Sequence, residues 1–472
     1  MPLLPETQAA IGNRFERCDS RSLVFERFAN PVLEKDDRRD FFNLAIAKKT
    51  LSHKREAWIN FLRNGLGFKP EDLLFAQLQA RLMVNMAGGV MENAGLCLDR
   101  LTSIPYIPGS AVKGCARRLA LAALSEWCET NSKPAGDDNP FTPACQPFNS
   151  PADMLTTIAR VFGWVDQDWK SDSDFAWACA GNRQEVWKPV AEALCEDFDW
   201  TIPQMQQEIP WKALPSCAGS VGFLPAYPFG TPPNPDLELD VVTCHHQKYY
   251  SQEQDKQGKI IMPVALDTED PIPVVFPAVA PGHVFIFAVL PGHRCADASL
   301  SVAKDWLKQG LETFGLGAKI AAGYGWFDCS PEFQEAIRKT IAESEQKRLE
   351  EKRRRDEETR RKAEVEERRR KAAEKKAATA SMTSEQKADY ELAQLTDDQL
   401  RGRLDSFFKR SPEEQKAVVR ALRLTPEQPG SRRKFWDDLK QRAQKGGKPA
   451  QIEQAIRAIS KQMFPGKEGK MP

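Results

Sequence analysis

Residues 108–118 read Pro108-Gly109-Ser110-Ala111-Val112-Lys113-Gly114-Cys115-Ala116-Arg117-Arg118. Pro-Gly makes a turn, Ser110 is a natural N-cap, and an Ala/Leu-rich helix runs on to about Trp127. Lys113 and Arg117 stand four apart and share one helical face. A helix amino terminus presents unpaired N–H groups and a partial positive charge, so Gly109, Ser110, Lys113 and Arg117 make a reasonable seat for a phosphate. The same residues also suit an ordinary capped helix with exposed basic side chains.

Upstream, Ile104-Pro105-Tyr106-Ile107 extends the turn signal, and Ala80–Gly89 reads as a strand ending at Gly88-Gly89. Residues 1–80 place charged and apolar positions at helical spacing, as in Arg55-Glu56-Ala57-Trp58-Ile59-Asn60-Phe61-Leu62. Downstream, residues 130–235 are rich in Pro, Gly, Asp and Trp and predict loops, short helices and a return to strand at Gly219–Tyr227. Strands follow at Leu237–Thr243 and His283–Leu290, a helix at Asp305–Thr313, and an apolar Gly325-Trp326-Phe327. The order strand, helix, strand, strand, helix, strand predicts an α+β, ferredoxin-like core with helical insertions and with helices on one sheet face.

A second motif is Gly315-Leu316-Gly317-Ala318-Lys319-Ile320-Ala321-Ala322-Gly323-Tyr324-Gly325. It lacks the GK[ST] ending of a P-loop, Ile320 stands where GxGxxG needs its last glycine, and it precedes a strand where a dinucleotide loop precedes a helix. It fits a loop in which Gly315, Gly317, Gly323 and Gly325 let backbone approach a polyanion, Lys319 offers a charge and Tyr324 a stacking face. A purely structural turn is the alternative.

Together the two motifs resemble the RAMP superfamily of CRISPR-associated proteins, which carries a Pro-Gly-Ser-x-x-Lys-Gly helix start and a C-terminal glycine-rich loop. Within it, the chain is similar to the sixth-subunit family of the type III-B Cmr effector complex. Four blocks in order carry that likeness: Ile104–Gly114, Leu239–His246 with Tyr249-Tyr250, Pro271–Val274, and Gly315–Gly325. They span roughly residues 80–330. The resemblance implies an RRM-like RAMP fold and a non-catalytic RNA-binding structural subunit of a ribonucleoprotein, contacting guide RNA, target RNA and neighbouring Cmr subunits. It also implies that Gly109, Ser110, Lys113 and Arg117 meet RNA backbone, and that Gly317, Lys319, Gly323, Tyr324 and Gly325 line the RNA groove. Cys244-His245-His246 departs from the family pattern of Pro or Asn before a single His.

The chain has 472 residues and a formal net charge of +1, which conceals two opposed halves. Residues 331–472 hold 36 basic and 26 acidic side chains, leaving 31 and 40 for residues 1–330. A deficit of that size in the first part argues against strong RNA binding by it alone and for binding as one member of an assembly. Ten of the eleven Trp and 26 of the 33 Pro also precede position 331. The expected division is an N-terminal helical segment 1–80, a RAMP domain 81–330, a charged single-helix linker 331–380 and a small helical C-terminal domain 381–472. In the linker, charges of both signs sit four apart, as Glu350 with Arg354 and Glu364 with Arg368, while Leu349 and Val365 alone interrupt the charged stretch, so a solvated helix is expected and a coiled coil is not. Thr396, Ser411 and Thr425 read as N-caps of a terminal bundle with a core that includes Leu395, Phe407, Phe408, Trp436 and Ile459. The partner of this tail is not legible.

No cofactor motif is found, and a metal is not expected at His245-His246, because adjacent strand residues point to opposite faces. The eleven Cys form no CxxC and suit a reducing cytoplasm. The amino terminus lacks a signal-peptide pattern, and no run approaches the ~18 apolar residues of a membrane span. The chain is therefore expected to be a cytoplasmic protein and not an enzyme. Two other readings stay open: an RNA endonuclease of the same superfamily using Asp99 or one of His53, His283 and His293, and a scaffold that recruits a protein through its tail. No motif pairs any of those groups with a second catalytic residue, and Asp99 also suits a turn or cap.

Overall fold

A computed structural model of the chain describes residues 5–12, 17–33, 35–48, 55–91, 93–250, 253–254, 256–261, 265, 267–268 and 270–466. The chain divides into two compact units, Met1–Ser344 and Glu345–Pro472.

The first unit mixes helix and sheet. Its centre is a four-stranded antiparallel sheet of β1 (Leu74–Leu78), β2 (Tyr227–Phe229), β3 (Val284–Phe287) and β4 (Phe327–Asp328), in the order β4-β1-β3-β2. The helix Gly109–Thr130 lies between β1 and β2 in sequence, and Asp297–Thr313 between β3 and β4. A long hairpin pairs Leu237–Cys244 with Ile272–Val279, and its base is tied to the chain after β1 by the Leu82↔Val279 bridge.

The first strand is not where it was expected. Leu74–Leu78 forms the strand, while 80–89 holds only the Leu82 bridge and a 3-10 turn at Met86–Gly88. The physical reason is that β1 is covered on both faces, so it shows no apolar–polar alternation to read. Register sets Phe75 opposite Ile286 and Ala76 opposite Phe285. Ala76, Leu78, Phe285 and Phe287 enter the main core with the helices 109–130 and 297–313. Phe75 and Ile286 face a second cluster with Ile59, Leu62 and Ile341. Helices therefore cover both sheet faces, where one was expected.

Because β4 pairs only with Gln77 and Leu78, it leaves the Phe75 backbone open on that edge. Gln334, from the helix Pro331–Thr379, fills the gap. Its Oε1 accepts from Phe75 N at 3.1 Å and its Nε2 donates to Phe75 O. An amide thus continues the ladder where the strand has ended.

The N-terminal segment is locked to this unit by a buried polar node. Arg21 donates to both Asp236 carboxylate oxygens at 2.8 and 3.1 Å and to the Ile46 carbonyl at 2.8 Å. Burial would raise the Asp236 carboxyl, but Arg21 holds it below its usual value. Both terminal nitrogens of Arg55 lie 3.2 Å from His283 Nδ1, and His283 Nε2 lies 3.0 Å from the Asp236 carbonyl. A guanidinium only donates, so Nδ1 accepts and Nε2–H is the donor. Burial, together with Arg55, pushes the His283 imidazole down to about 4.

The helix Pro331–Thr379 has 49 residues, about 74 Å at the α-helical rise. Gln334 and Ile341 near its start belong to the first unit's core, and beyond them it carries exposed pairs such as Glu358–Lys362 at 2.6 Å and Arg370–Glu374 at 3.1 Å. The second unit packs Ser384–Ala393, Asp397–Asp405, Pro412–Arg423, Lys434–Ala443 and Lys448–Met463 around Phe407, Val419, Trp436 and Ile456. Thr383, Thr396 and Ser411 close capping boxes with Gln386, Gln399 and Glu414. Thr425 starts no helix; its N–H is taken by Gln428, and the next helix begins at Lys434. Phe408, expected in the core, is exposed.

Gln334→Leu keeps the volume but strands two backbone groups, and a urea denaturation midpoint should report a loss of about 2–4 kcal/mol. An unfolded imidazole protonates near 6.5 and the folded His283 only near 4, so the unfolded chain binds more protons between those values. This contribution is complete above about pH 6.5 and falls by on the order of 3 kcal/mol as pH drops to about 4. In His283→Gln that part of the stability–pH curve should flatten, whereas the acid loss from Asp236 lies lower and should persist.

Candidate nucleic-acid interface

The glycine-rich loop leaves the carboxyl end of the 297–313 helix and lies against the chain just after β1. Ala318 N donates to Met83 O at 2.7 Å, Gly325 N to Arg81 O at 2.8 Å, and Leu316 N to Gly325 O at 2.9 Å. Gly317 (φ 103°) and Gly325 (φ 70°) make this possible, since a Cβ on either would strike the carbonyl of Met83 or of Leu316. Gly315 is buried, and its carbonyl takes a weak bond from Cys115 Sγ at 3.7 Å. Gly323 faces open space. Gly315, Gly317 and Gly325 thus let the loop approach its own protein, and Gly323 marks its open side.

Lys319 holds its ammonium 4.9 Å above the Phe276 ring of the hairpin. Tyr324, read from sequence as a stacking face, packs against the same ring and donates its hydroxyl to Asp240. Burial, then Asp240, push the Tyr324 phenol up to about 12. Arg81 bridges Glu238 at 2.7 Å and Asp240 at 2.9 Å. Arg81 and Glu238 were not singled out from sequence. Arg81 stands 157 and 159 positions from Glu238 and Asp240, and Tyr324 stands 84 from Asp240, so only the hairpin's fold brings them together.

At the other motif the helix begins at Gly109 with Pro108 as N-cap; Ala111 N and Val112 N both donate to Pro108 O. Ser110 lies exposed in the first turn and is not the cap, because the extended Pro108 already starts the ladder. Gly109 is pressed against the Phe223 carbonyl. Arg117 is engaged by Asp168 at 3.0 Å and by Asp174, and lies over the Phe175 ring. Lys113 is half-buried, and burial followed by the neighbouring Arg117 lowers its pKa. The helix supplying Asp174 also carries Trp177, 58% exposed. Sequence could not separate that indole from the many core tryptophans beside it. The two motifs meet at their bases, through Cys115 and Gly315 and through Arg118, whose guanidinium lies 4.6 Å from the Phe314 ring centre.

Asp99 is fully occupied in a turn. Its Oδ1 accepts from Leu101 N, Thr102 N and Thr102 Oγ1, and its Oδ2 from the Tyr227 hydroxyl at 3.1 Å. Burial raises its pKa, but these hydrogen bonds outweigh it and keep the carboxyl below its usual range. His283 belongs to the polar node, His293 is exposed, and His53 lies outside the described residues. Among the described residues no three His, Cys, Asp or Glu side chains gather as metal ligands.

With this geometry in hand, the family of the chain is clear: it belongs to the RAMP superfamily, whose family model matches residues 84–328, a little over half of its length. Among curated relatives it is similar to the CRISPR system Cmr subunit Cmr6 of Pyrococcus furiosus, 27% identical over 256 residues that cover 52% of this chain and 64% of the relative. The chain thus spans just under two thirds of that relative's length. Among solved structures, a chain of the type III-B Cmr-beta complex bound to cognate target RNA aligns with a TM-score of 0.33 at 16% identity, over 69% of this chain and 88% of that one. The Pyrococcus furiosus Cmr6 crystal structure aligns with a TM-score of 0.25 at 22% identity, over 55% and 97%.

Two glycines of the loop make a contrast. Gly323→Ala should cost only the left-handed backbone penalty, about 1–2 kcal/mol. Gly325→Ala adds a carbonyl collision and should cost about 3 kcal/mol or more. Chemical denaturation of the full chain distinguishes them.

Proposed function

We propose that this protein is a non-catalytic, RNA-binding structural subunit of a type III-B Cmr-type ribonucleoprotein, contacting guide RNA, target RNA and neighbouring subunits from the cytoplasm. The four-stranded sheet with its two core helices is read here as the ferredoxin-like unit of such a subunit. The likeness to Cmr6 supports the assignment to that complex. The observation that carries the RNA reading is a glycine-rich loop hydrogen-bonded to residues 81–83, with Gly323 facing open space and the Lys319 ammonium over the Phe276 ring. Lys113 with the helix start at Gly109 supplies a second phosphate seat, and the exposed Trp177, on the helix whose Asp174 pairs with Arg117, a stacking face. Arg117, held by two carboxylates, contributes by position more than by free charge.

Among the described residues no helix is long and apolar enough to cross a membrane. The hydrogen bonding of Asp99 and the burial of His283 favour the non-catalytic reading over an endonuclease. The test is assembly on guide RNA at several salt concentrations. Each phosphate contact removed from a single strand should flatten the log–log salt slope by about 0.7, so Lys113→Ala with Lys319→Ala should flatten it by about 1.4. An unchanged slope removes these two lysines from the interface. Cleavage of target RNA by the purified chain, abolished in Asp99→Ala, would replace this reading by the endonuclease one.

A further inference from the structure

The helix Asp297–Thr313 has a second end. Its carboxyl end feeds the glycine-rich loop, and its amino end, 17 residues or about 26 Å away, opens on a separate cavity of about 530 Å³. That amino terminus has no side-chain cap: Ala296 occupies the N-cap position. Within the first turn Ser299 N donates to Ala296 O at 3.0 Å, and the N–H groups of Asp297 and Ala298 are left without a side-chain acceptor. Ser299, in the same turn, is only 8% exposed, lines the cavity, and its hydroxyl makes no hydrogen bond among the described residues. A hydroxyl that lines a cavity beside an uncapped helix terminus is placed to donate to an anion there.

The remaining wall fits the rest of a nucleotide. Phe198 stacks on Trp200, ring centres 4.5 Å apart and 13° from parallel, and Arg294 lays its guanidinium 5.3 Å from the Phe198 ring centre. Arg294 is exposed, so the stack ends in a cationic plate with one face open to a base. Asp197, the acid lining the cavity, is neutralised by a two-pronged pair with Arg160 at 2.6 and 2.9 Å. Asp297 in the first turn is exposed. Arg294 leaves the cavity with positive character in a region whose sequence is net acidic.

We propose that this cavity is a nucleotide-binding site, taking a phosphate at the Ala296–Ser299 turn and Ser299 Oγ, with the base stacked on Arg294. It does not depend on the RNA reading of the glycine-rich loop, which lies at the other end of the helix. The phosphate belongs either to a free mononucleotide or to an RNA chain, and the test separates these sources.

The full chain is titrated by calorimetry with adenosine 5′-monophosphate, adenosine and inorganic phosphate. The monophosphate should bind saturably and adenosine at least about tenfold more weakly, the loss expected when hydrogen bonds to a charged group are removed. Arg294→Glu and Ser299→Ala should each weaken the monophosphate by about tenfold with unchanged thermal midpoints, and Lys319→Ala should leave it unaltered. Competition by a short single-stranded RNA assigns the site to the RNA chain; its absence assigns it to the free nucleotide. The proposal is overturned if neither the monophosphate nor the RNA binds saturably, or if Arg294→Glu, folded as judged by its midpoint, binds both as the parent does.

Discussion

The strand Leu74–Leu78 is paired on both edges and packed on both faces, and most of the first unit follows from that. On one edge it takes β3 residue for residue; on the other it takes the short β4 and then the Gln334 amide. A buried backbone group without a partner costs more than most side-chain contacts return, so the strand's position dictates where those neighbours must lie. The chain leaving β1 at Arg81–Met83 then offers its carbonyls to the glycine-rich loop. The candidate interface thus inherits its geometry from the central strand, through three or four residues of backbone.

Local chemistry was legible and distant chemistry was not. The helix start near Gly109, the glycine-rich turn, the first hairpin strand at Leu237–Cys244 and the caps at Thr396 and Ser411 each announce themselves within a few residues, whereas the hairpin's partner strand Ile272–Val279 was not read as a strand. The strand at 74–78 escaped because burial on both faces erases the period-two pattern. Ser110 looked like a cap, yet the preceding proline, already extended, took that position. The Arg21–Asp236 pair and the Arg81–Asp240–Tyr324 cluster join residues far apart in sequence, and no spacing rule points from one to another.

Charge is distributed more tightly than a net value conveys. Arg21, Arg81 and Arg117 each hold carboxylates, and Arg55 spends its donors on a neutral imidazole. These cations organise the fold. Lys113, Lys319 and Arg294 are placed differently, each beside an aromatic ring or a helix amino terminus. Recognition by such groups depends on geometry more than on long-range attraction.

The pinning of Gly317 and Gly325 has a thermodynamic reading. Loops that order only on contact with a ligand give up part of the binding free energy to conformational entropy. Here that entropy has already been surrendered during folding, in exchange for hydrogen bonds to Met83 and Arg81. A ligand arriving at Gly323 meets a surface whose shape is set beforehand, so the adaptation falls on the ligand, and a flexible single strand is better able to conform to it than a stiff duplex.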